Sequence, residues 1–291
     1  MMKIDLHIHS NCSDGKYTPS EIFDEAARRG IGVISITDHD SIDCQEEAKI
    51  LADKHHIRYI YGLELSVSFS YPSQVDSKPI SLDFLAYQYN IYYQPLIDKL
   101  EELRTYRKKR AERILERINQ ELVRANLKEF DHHDLKEIEA SVDGAFGRPH
   151  IADYMVKKGL VSTRQDAFDK YLVKCNVPKM PLSISEASSL VRGAGGKLML
   201  AHPNHPRGTS LIKLTTELDV QQAIIKESML PYIDGIECWH SEHDQRTITS
   251  YMEFARDMEL MVTGGSDCHQ RPLLMGTVDI PGFVAQQFEV R

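Results

Sequence analysis

The stretch KIDLHIHSNCSDG, residues 3–15, sets two histidines on alternate positions of an apolar run and an aspartate five residues past the second. Side chains alternate across a β-strand, so His7 and His9 point to one face at a strand end, where two imidazoles can grip one cation. An isolated pair of this kind also arises by chance, so the rest of the chain decides. TPSEIFDEAARRG follows and reads as a helix, with Thr18 as N-cap, Pro19 at the first position, Glu21 at the capping-box position and Gly30 as terminator. IGVISITDHDS is a second strand that leaves Asp38, His39 and Asp40 just past its carboxyl end. Residues 43–54 form a second helix, and IRYIYGLELSV is a third strand carrying Glu64. This alternation predicts an α/β fold of parallel βα units, whose ligands gather at the carboxyl ends of strands.

A polar, hairpin-like stretch containing Pro72 and Pro79 leads to a short strand, ISLDFLAYQYN, and then the pattern changes. From Pro95 to about Leu127 one long helix is expected, its apolar stripe traced by Leu96, Leu100, Leu103, Ala111, Ile114, Ile118 and Leu122. Its other face carries Arg104, Arg107, Lys108, Lys109, Arg110, Arg113 and Arg117 among Glu101, Glu102, Glu112 and Glu116, and reads as a solvated face before an anion site. Helical segments over 131–138, 150–158 and 162–172 continue to about Pro181. The chain thus divides into a first α/β part at 1–90, a helical insertion at 91–181 and a second α/β part at 182–291. In the last, helix 183–194, strand KLMLAHP, helices 212–218 and 221–229, strand IDGIECWHSEH, helix 244–258 and strand LMVTGGSDCH restore the rhythm.

At 291 residues and 42% apolar the chain can bury a large core. A net charge of -8 speaks against holding long duplex nucleic acid, which needs a clustered basic face. Five scattered cysteines without a C-x-x-C pair indicate neither a disulfide framework nor a thiolate zinc site. With no leader pattern and no run of about 18 apolar residues, a soluble cytoplasmic protein that meets no membrane is expected.

The polar residues gathered at predicted strand ends are His7, His9, Asp14, His39, Glu64, Asp83, His202, Asp267 and His269. Any one of them has a structural reading, such as a turn, a cap or a hydrogen-bonded ring. Nine at one rim form a stronger set than their members. Imidazole and carboxylate without thiolate is the donor set of hydrolytic zinc, manganese or iron sites, and a carboxylate such as Glu64 can bridge two cations.

Taken in order, DLHIHSNCSDGKYTPSE, ITDHDS, GLELSV, GRPHIADYMVKKG, GGKLMLAHP, GIECWHSEH and TGGSDCH resemble the PHP (polymerase and histidinol phosphatase) superfamily, in its stand-alone metal-dependent phosphoesterase branch. The resemblance covers nearly the whole chain. It implies a distorted (β/α)7 barrel with a helical insertion and a cluster of two or three divalent ions, Mn, Fe or Zn. Carried over residue by residue, His7, His9, Glu64 and Asp267 match the ligands of a first metal, Glu64 and His202 those of a second, and Asp14, His39 and His269 those of a third. Asp83 stands where relatives carry a histidine, and its added negative charge favours a harder ion at the second metal. In GRPH, Pro149 suits the first turn of a helix, which sets Arg148 and His150 at a positive N-terminus, and the arginine fork matches phosphate. His243 matches a histidine expected as phosphate ligand or general acid, with His240 behind the ligands. The branch implies hydrolysis, by metal-activated water, of a phosphate monoester or terminal phosphodiester of a nucleotide or short RNA. The alternatives are a histidinol-phosphate phosphatase, against which the large insertion speaks, and a non-catalytic metal-stabilised accessory module, against which the near-complete ligand set speaks.

Overall fold

The computed structural model describes residues 2–71, 79–140, 147–178, 180–269 and 274–289; the hairpin-like stretch around Pro72 lies outside them. β1 (Lys3–Ile8) is buried along its length except at Lys3 and leads into α1 (Pro19–Arg29). That helix forms as its sequence dictates. Thr18 accepts the Glu21 N–H at 3.3 Å, Glu21 accepts the Thr18 N–H at 2.8 Å, and Gly30 ends the helix at φ 69°. α1 returns the chain to β2 (Ile31–Ile36), parallel to β1, and α2 (Gln45–His55) returns it to β3 (Arg58–Tyr59), parallel to β2.

The single third strand expected from residues 57–67 is two. β3 belongs to the first sheet, and β4 (Gly62–Phe69) opens a second sheet in the order β4-β5-β6-β7-β8. There β5 (Ile80–Tyr87) is antiparallel to both neighbours, while β6 (Lys197–Leu200), β7 (Gly235–His240) and β8 (Met261–Gly265) run parallel. The sheets meet at two places. His39 bridges Glu64, with the Asp40 N–H on the Glu64 carbonyl at 2.8 Å, and Ile8 bridges Cys268, with the His9 N–H on the Cys268 carbonyl at 3.0 Å. The second contact demands glycine: a Cβ on Gly265 would come within 2.2–2.7 Å of the His7 Cβ, N and Cα.

α3 (Gln94–Arg124) is the long helix, and its stripe serves two cores. Leu96, Leu100 and Leu103 join the main core between the second sheet and its helices. Ala111, Ile114, Ile118 and Leu122 join a separate one with α4 (His132–Ala140), α5 (Arg148–Lys157) and α6 (Arg164–Ala167). The helix expected over 162–172 is α6 followed by a π-helical turn, Phe168–Leu172. After α7 (Ile184–Gly193) and β6, residues 212–218 hold only a 3₁₀ turn, Leu211–Lys213, before α8 (Leu218–Ser228). Two consecutive threonines, and a Thr215 hydroxyl that takes the Glu217 N–H at 3.1 Å, compete with helix there. α9 (Gln245–Asp257) and α10 (Phe283–Gln286) complete the chain.

The structure corrects the cysteine reading. Cys12 and Cys44 form a disulfide with Cα atoms 6.2 Å apart, within the range of such bonds, while Cys175, Cys238 and Cys268 are buried and outside any disulfide among the described residues. Spacing gave no sign of it, because the β1–α1–β2 return is what brings residues 32 apart together. Among the described residues no helix is long and apolar enough to cross a membrane.

Candidate functional site

His7 and His9 do share a face. Their Nε2 atoms are 3.1 Å apart, and both face the same two carboxylate oxygens: Glu64 Oε2 at 3.4 and 3.1 Å and Asp267 Oδ1 at 3.3 and 3.2 Å. Four donor atoms around a cation with bonds of ~2.0–2.1 Å stand about 3.3–3.4 Å apart in a tetrahedron, so the group fits a metal. Its members come from β1 and the residue beyond it, the early part of β4, and the loop after β8. Glu64 is therefore not at a strand's carboxyl end, and Asp83 lies in the middle of β5. They reach the site because β4 and β5 run alongside it, with Ser66 directly opposite Asp83.

Two more groups adjoin the first. Glu64 Oε1 lies 3.2 Å from His202 Nε2, and donor atoms of Glu64, Asp83 and His202 all fall within 4.8 Å of one another. The same holds for His9, Asp14, His39 and His269, which adds His9 to the expected third set; His269 Nε2 is 3.3 Å from Asp14 Oδ1. Several of these buried atoms, among them His9 Nδ1, Asp14 Oδ1, His39 Nδ1 and Asp267 Oδ1, lack a hydrogen-bond partner although opposite charges stand 3.1–3.8 Å away. Buried polar atoms left this way suit a cation that all of them face. The backbone is also bent to the purpose, with His202 at φ 23° and Asp267 at φ 53°, a region non-glycine residues rarely enter.

The electrostatics are those of a site built around positive charge. Burial alone would raise the acids, but the surrounding imidazoles hold Asp14, Glu64 and Asp267 well below the usual carboxylate range. Burial would lower the histidines, yet Asp267 and Glu64 push His9 up to about 10, and Glu64 pushes His202 to about 9.

A carboxylate that adjoins the candidate site escaped the sequence reading. Glu237, fully buried in β7, accepts His7 Nδ1–H at 3.0 Å and the His202 backbone N–H at 2.8 Å. This fixes the His7 tautomer so that Nε2 turns its lone pair to the group, as carboxylate partners of ligating histidines do. The only hint was a charged residue within the apolar run IECW. His240 stands behind the ligands as expected, its Nδ1 accepting the Glu242 N–H at 3.1 Å and its Nε2 3.4 Å from Asp267 Oδ2.

A cavity of about 650 Å³ opens beside the three groups, with Asp14, His39, Glu64, Asp83, Asp267 and His269 in its lining. Arg107 and Arg110 of α3, Arg148 of α5 and Arg164 of α6 line it as well. The basic face of α3 is thus partly turned inward: Arg107 pairs with Asp40, and Arg110 donates to the Val177 carbonyl at 2.6 Å. Arg164 is clamped by Asp153. Arg148, at the N-terminus of α5, lies 5.4 Å from the Phe168 ring centre, and no carboxylate among the described residues pairs with it. Burial lowers its pKa. His150 does not line the cavity; its Nδ1 accepts the Gly147 N–H at 3.1 Å and caps α5. His243 is likewise absent from the cavity lining. It sits behind His240, ring centres 5.3 Å apart and off the cavity wall, with Nδ1–H on the Cys238 carbonyl at 2.9 Å. Burial pushes its pKa down to about 4.

Residues 5–176 match the PHP domain family. The chain is 30% identical over 284 residues to a 3',5'-nucleoside bisphosphate phosphatase of Chromobacterium violaceum, covering 92% of this chain and 88% of that one. It is 27% identical over 279 residues to a 5'-3' exoribonuclease of Haemophilus influenzae, covering 92% and 90%. A crystal structure from Bifidobacterium adolescentis, described as a metal-dependent phosphoesterase, superposes with a TM-score of 0.80 at 27% identity, over 98% of this chain and 95% of that one. Fold, donor set and relatives define a metal-dependent hydrolase of phosphoric esters. The chain belongs to the PHP domain family.

Proposed function

We propose that the chain cleaves a terminal phosphate ester of a nucleotide or a short oligonucleotide, with His7, His9, Glu64 and Asp267 holding one divalent ion, Glu64, Asp83 and His202 a second, and Asp14, His39 and His269 a third. We infer that the two bridged sheets make up one distorted (β/α)7 barrel, with residues 91–181 as its helical insertion. The observation that carries the reading is the tetrahedral spacing of the first group beside a cavity whose lining also offers Arg148, with no carboxylate partner among the described residues. The bound ions would supply Lewis acidity and an acidified water. The chain's own residues do the rest. Arg148 presents a planar fork to the phosphate oxygens, Glu237 and His240 hold His7 and Asp267 in orientation, and Arg107 ties the insertion to Asp40 beside His39. An arginine wall on an otherwise acidic protein suits a short anionic substrate better than a long one. The relatives that act on nucleoside bisphosphates and on RNA support the same class.

The test is phosphate release from a panel of nucleoside 3',5'-bisphosphates, 5'-phosphorylated short RNA and histidinol phosphate, with Mn²⁺, Fe²⁺, Zn²⁺ and Mg²⁺ each added in turn. Chelator-sensitive turnover of the nucleotides is expected. Turnover of histidinol phosphate alone would replace this reading with the phosphatase alternative, and no turnover on any substrate would leave an accessory module.

A further inference from the structure

We propose that His205 is a fixed hydrogen-bond donor to a phosphoryl oxygen of the substrate. This rests on the phosphoesterase reading and adds a contact that the matched motifs do not contain. His205 lies three residues past His202, in the loop between β6 and the 3₁₀ turn, and it borders the cavity. Its Nδ1 accepts two backbone N–H groups, from Arg207 at 3.1 Å and Gly208 at 3.0 Å. With that lone pair occupied by donors, the ring's one proton must sit on Nε2.

The seat is built for this ring. A Cβ on Gly208 would stand 2.9 Å from both Cγ and Cδ2 of His205, so glycine is what lets the loop close over it. The His205 N–H is held by the His202 carbonyl at 3.0 Å, and the His205 carbonyl accepts the Ser210 hydroxyl at 2.6 Å. No hydrogen bond from Nε2 to a described residue exists, and this edge is not sealed from solvent.

His205, His240 and Asp267 place donor atoms within 4.8 Å of one another, which by distance alone would admit another cation. The tautomers exclude it. His240 also has its Nδ1 engaged by a backbone N–H, so both rings present Nε2–H and neither offers a lone pair. His240 spends its proton on Asp267. His205 has its proton free, beside Asp267 and His202 and in a lining that also includes Thr209 and Lys213. A neutral N–H aimed at a site where phosphate oxygens gather negative charge is the arrangement that stabilises the charge without a proton transfer.

The experiment uses the Mg²⁺- or Zn²⁺-loaded protein, ¹⁵N-labelled at histidine, with inorganic phosphate as the probe. His205 is assigned by the signal missing in His205→Gln. The expected result is an Nε2–H tautomer at neutral pH whose Nε2 signal moves on adding phosphate. The phosphate Kd should rise about tenfold in His205→Phe and by only about two- to threefold in His205→Gln, which keeps a donor. Gly208→Ala displaces the ring without removing its donor and should weaken phosphate as His205→Phe does, with metal content unchanged in every variant. An Nδ1–H tautomer, an Nε2 signal indifferent to phosphate, or an unchanged Kd in His205→Phe would each overturn the proposal. If the wild type hydrolyses no phosphoester while phosphate still moves Nε2, the reaction assignment fails and the donor stands.

Discussion

Glu237 reaches His7 Nδ1 with one oxygen at 3.0 Å and the His202 N–H with the other at 2.8 Å, so one buried carboxylate on β7 orients donors from two of the three ligand groups. Replacing it by glutamine keeps the shape and removes the charge. Metal affinity in Glu237→Gln should fall about 10–100-fold, as measured by calorimetric titration of chelator-stripped protein. Unchanged affinity would make Glu237 a packing residue only.

The metal-free protein should be sensitive to alkaline pH. His9 titrates at about 10 in the fold and near 6.5 when unfolded, so its charged form contributes stability fully below about 6.5, and this is lost as pH rises through 10. His202, at about 9, acts in the same sense. A cation must displace those protons, so metal affinity should rise with pH between about 7 and 10 and binding should release protons. Thermal melts across that range, with and without metal, and titrations in buffers of different ionisation heat measure both effects. Affinity that is flat with pH would contradict the protonated cradle.

Asp83 accepts the Ser66 hydroxyl at 2.8 Å and also that of Thr209, which leaves its carboxylate aimed toward Glu64 and His202. Asp83→Ala should lower the bound metal by up to one ion per chain. Asp83→His should shift preference from Mn²⁺ or Mg²⁺ toward Zn²⁺, because imidazole is the softer donor. Elemental analysis after dialysis against mixed metals reads both, and identical stoichiometry and affinity in Asp83→Ala would remove Asp83 from the ligand set.

The Cys12–Cys44 bond closes a loop that carries His39 and Asp14. Cys12→Ser with Cys44→Ser should cost about 2–4 kcal/mol of unfolding free energy, read as a lower urea midpoint. Thiol reductant on the wild type should reproduce the shift. A midpoint indifferent to both would show that the cross-link does not form in solution.

Much of the candidate site was legible because its polar residues lie in short local patterns. His-x-His on a strand, Thr-Asp-His after one and Ser-Asp-Cys-His after another announce themselves by side-chain alternation and by polar residues breaking apolar runs. The capping box of α1 was legible for the same reason, since Thr18 and Glu21 act within one turn. Glu237 was not, because a carboxylate in a strand says nothing of a histidine 230 residues away. The placement of His243 was not legible either, because a histidine near a strand end looks alike whether it lines the cavity or packs on His240.

By itself the sequence pointed to the candidate donor residues at strand ends and to βα units on either side of a long helix, since those follow from propensity, caps and periodicity along the chain. Tertiary structure alone decided that residues 57–69 split between two sheets, that β5 runs antiparallel, that Cys12 meets Cys44, and that Glu237 and His205 join the site. These depend on which strand edges pair and which backbone N–H groups fall beside a ring, and such contacts form only when distant segments compete for the same buried space.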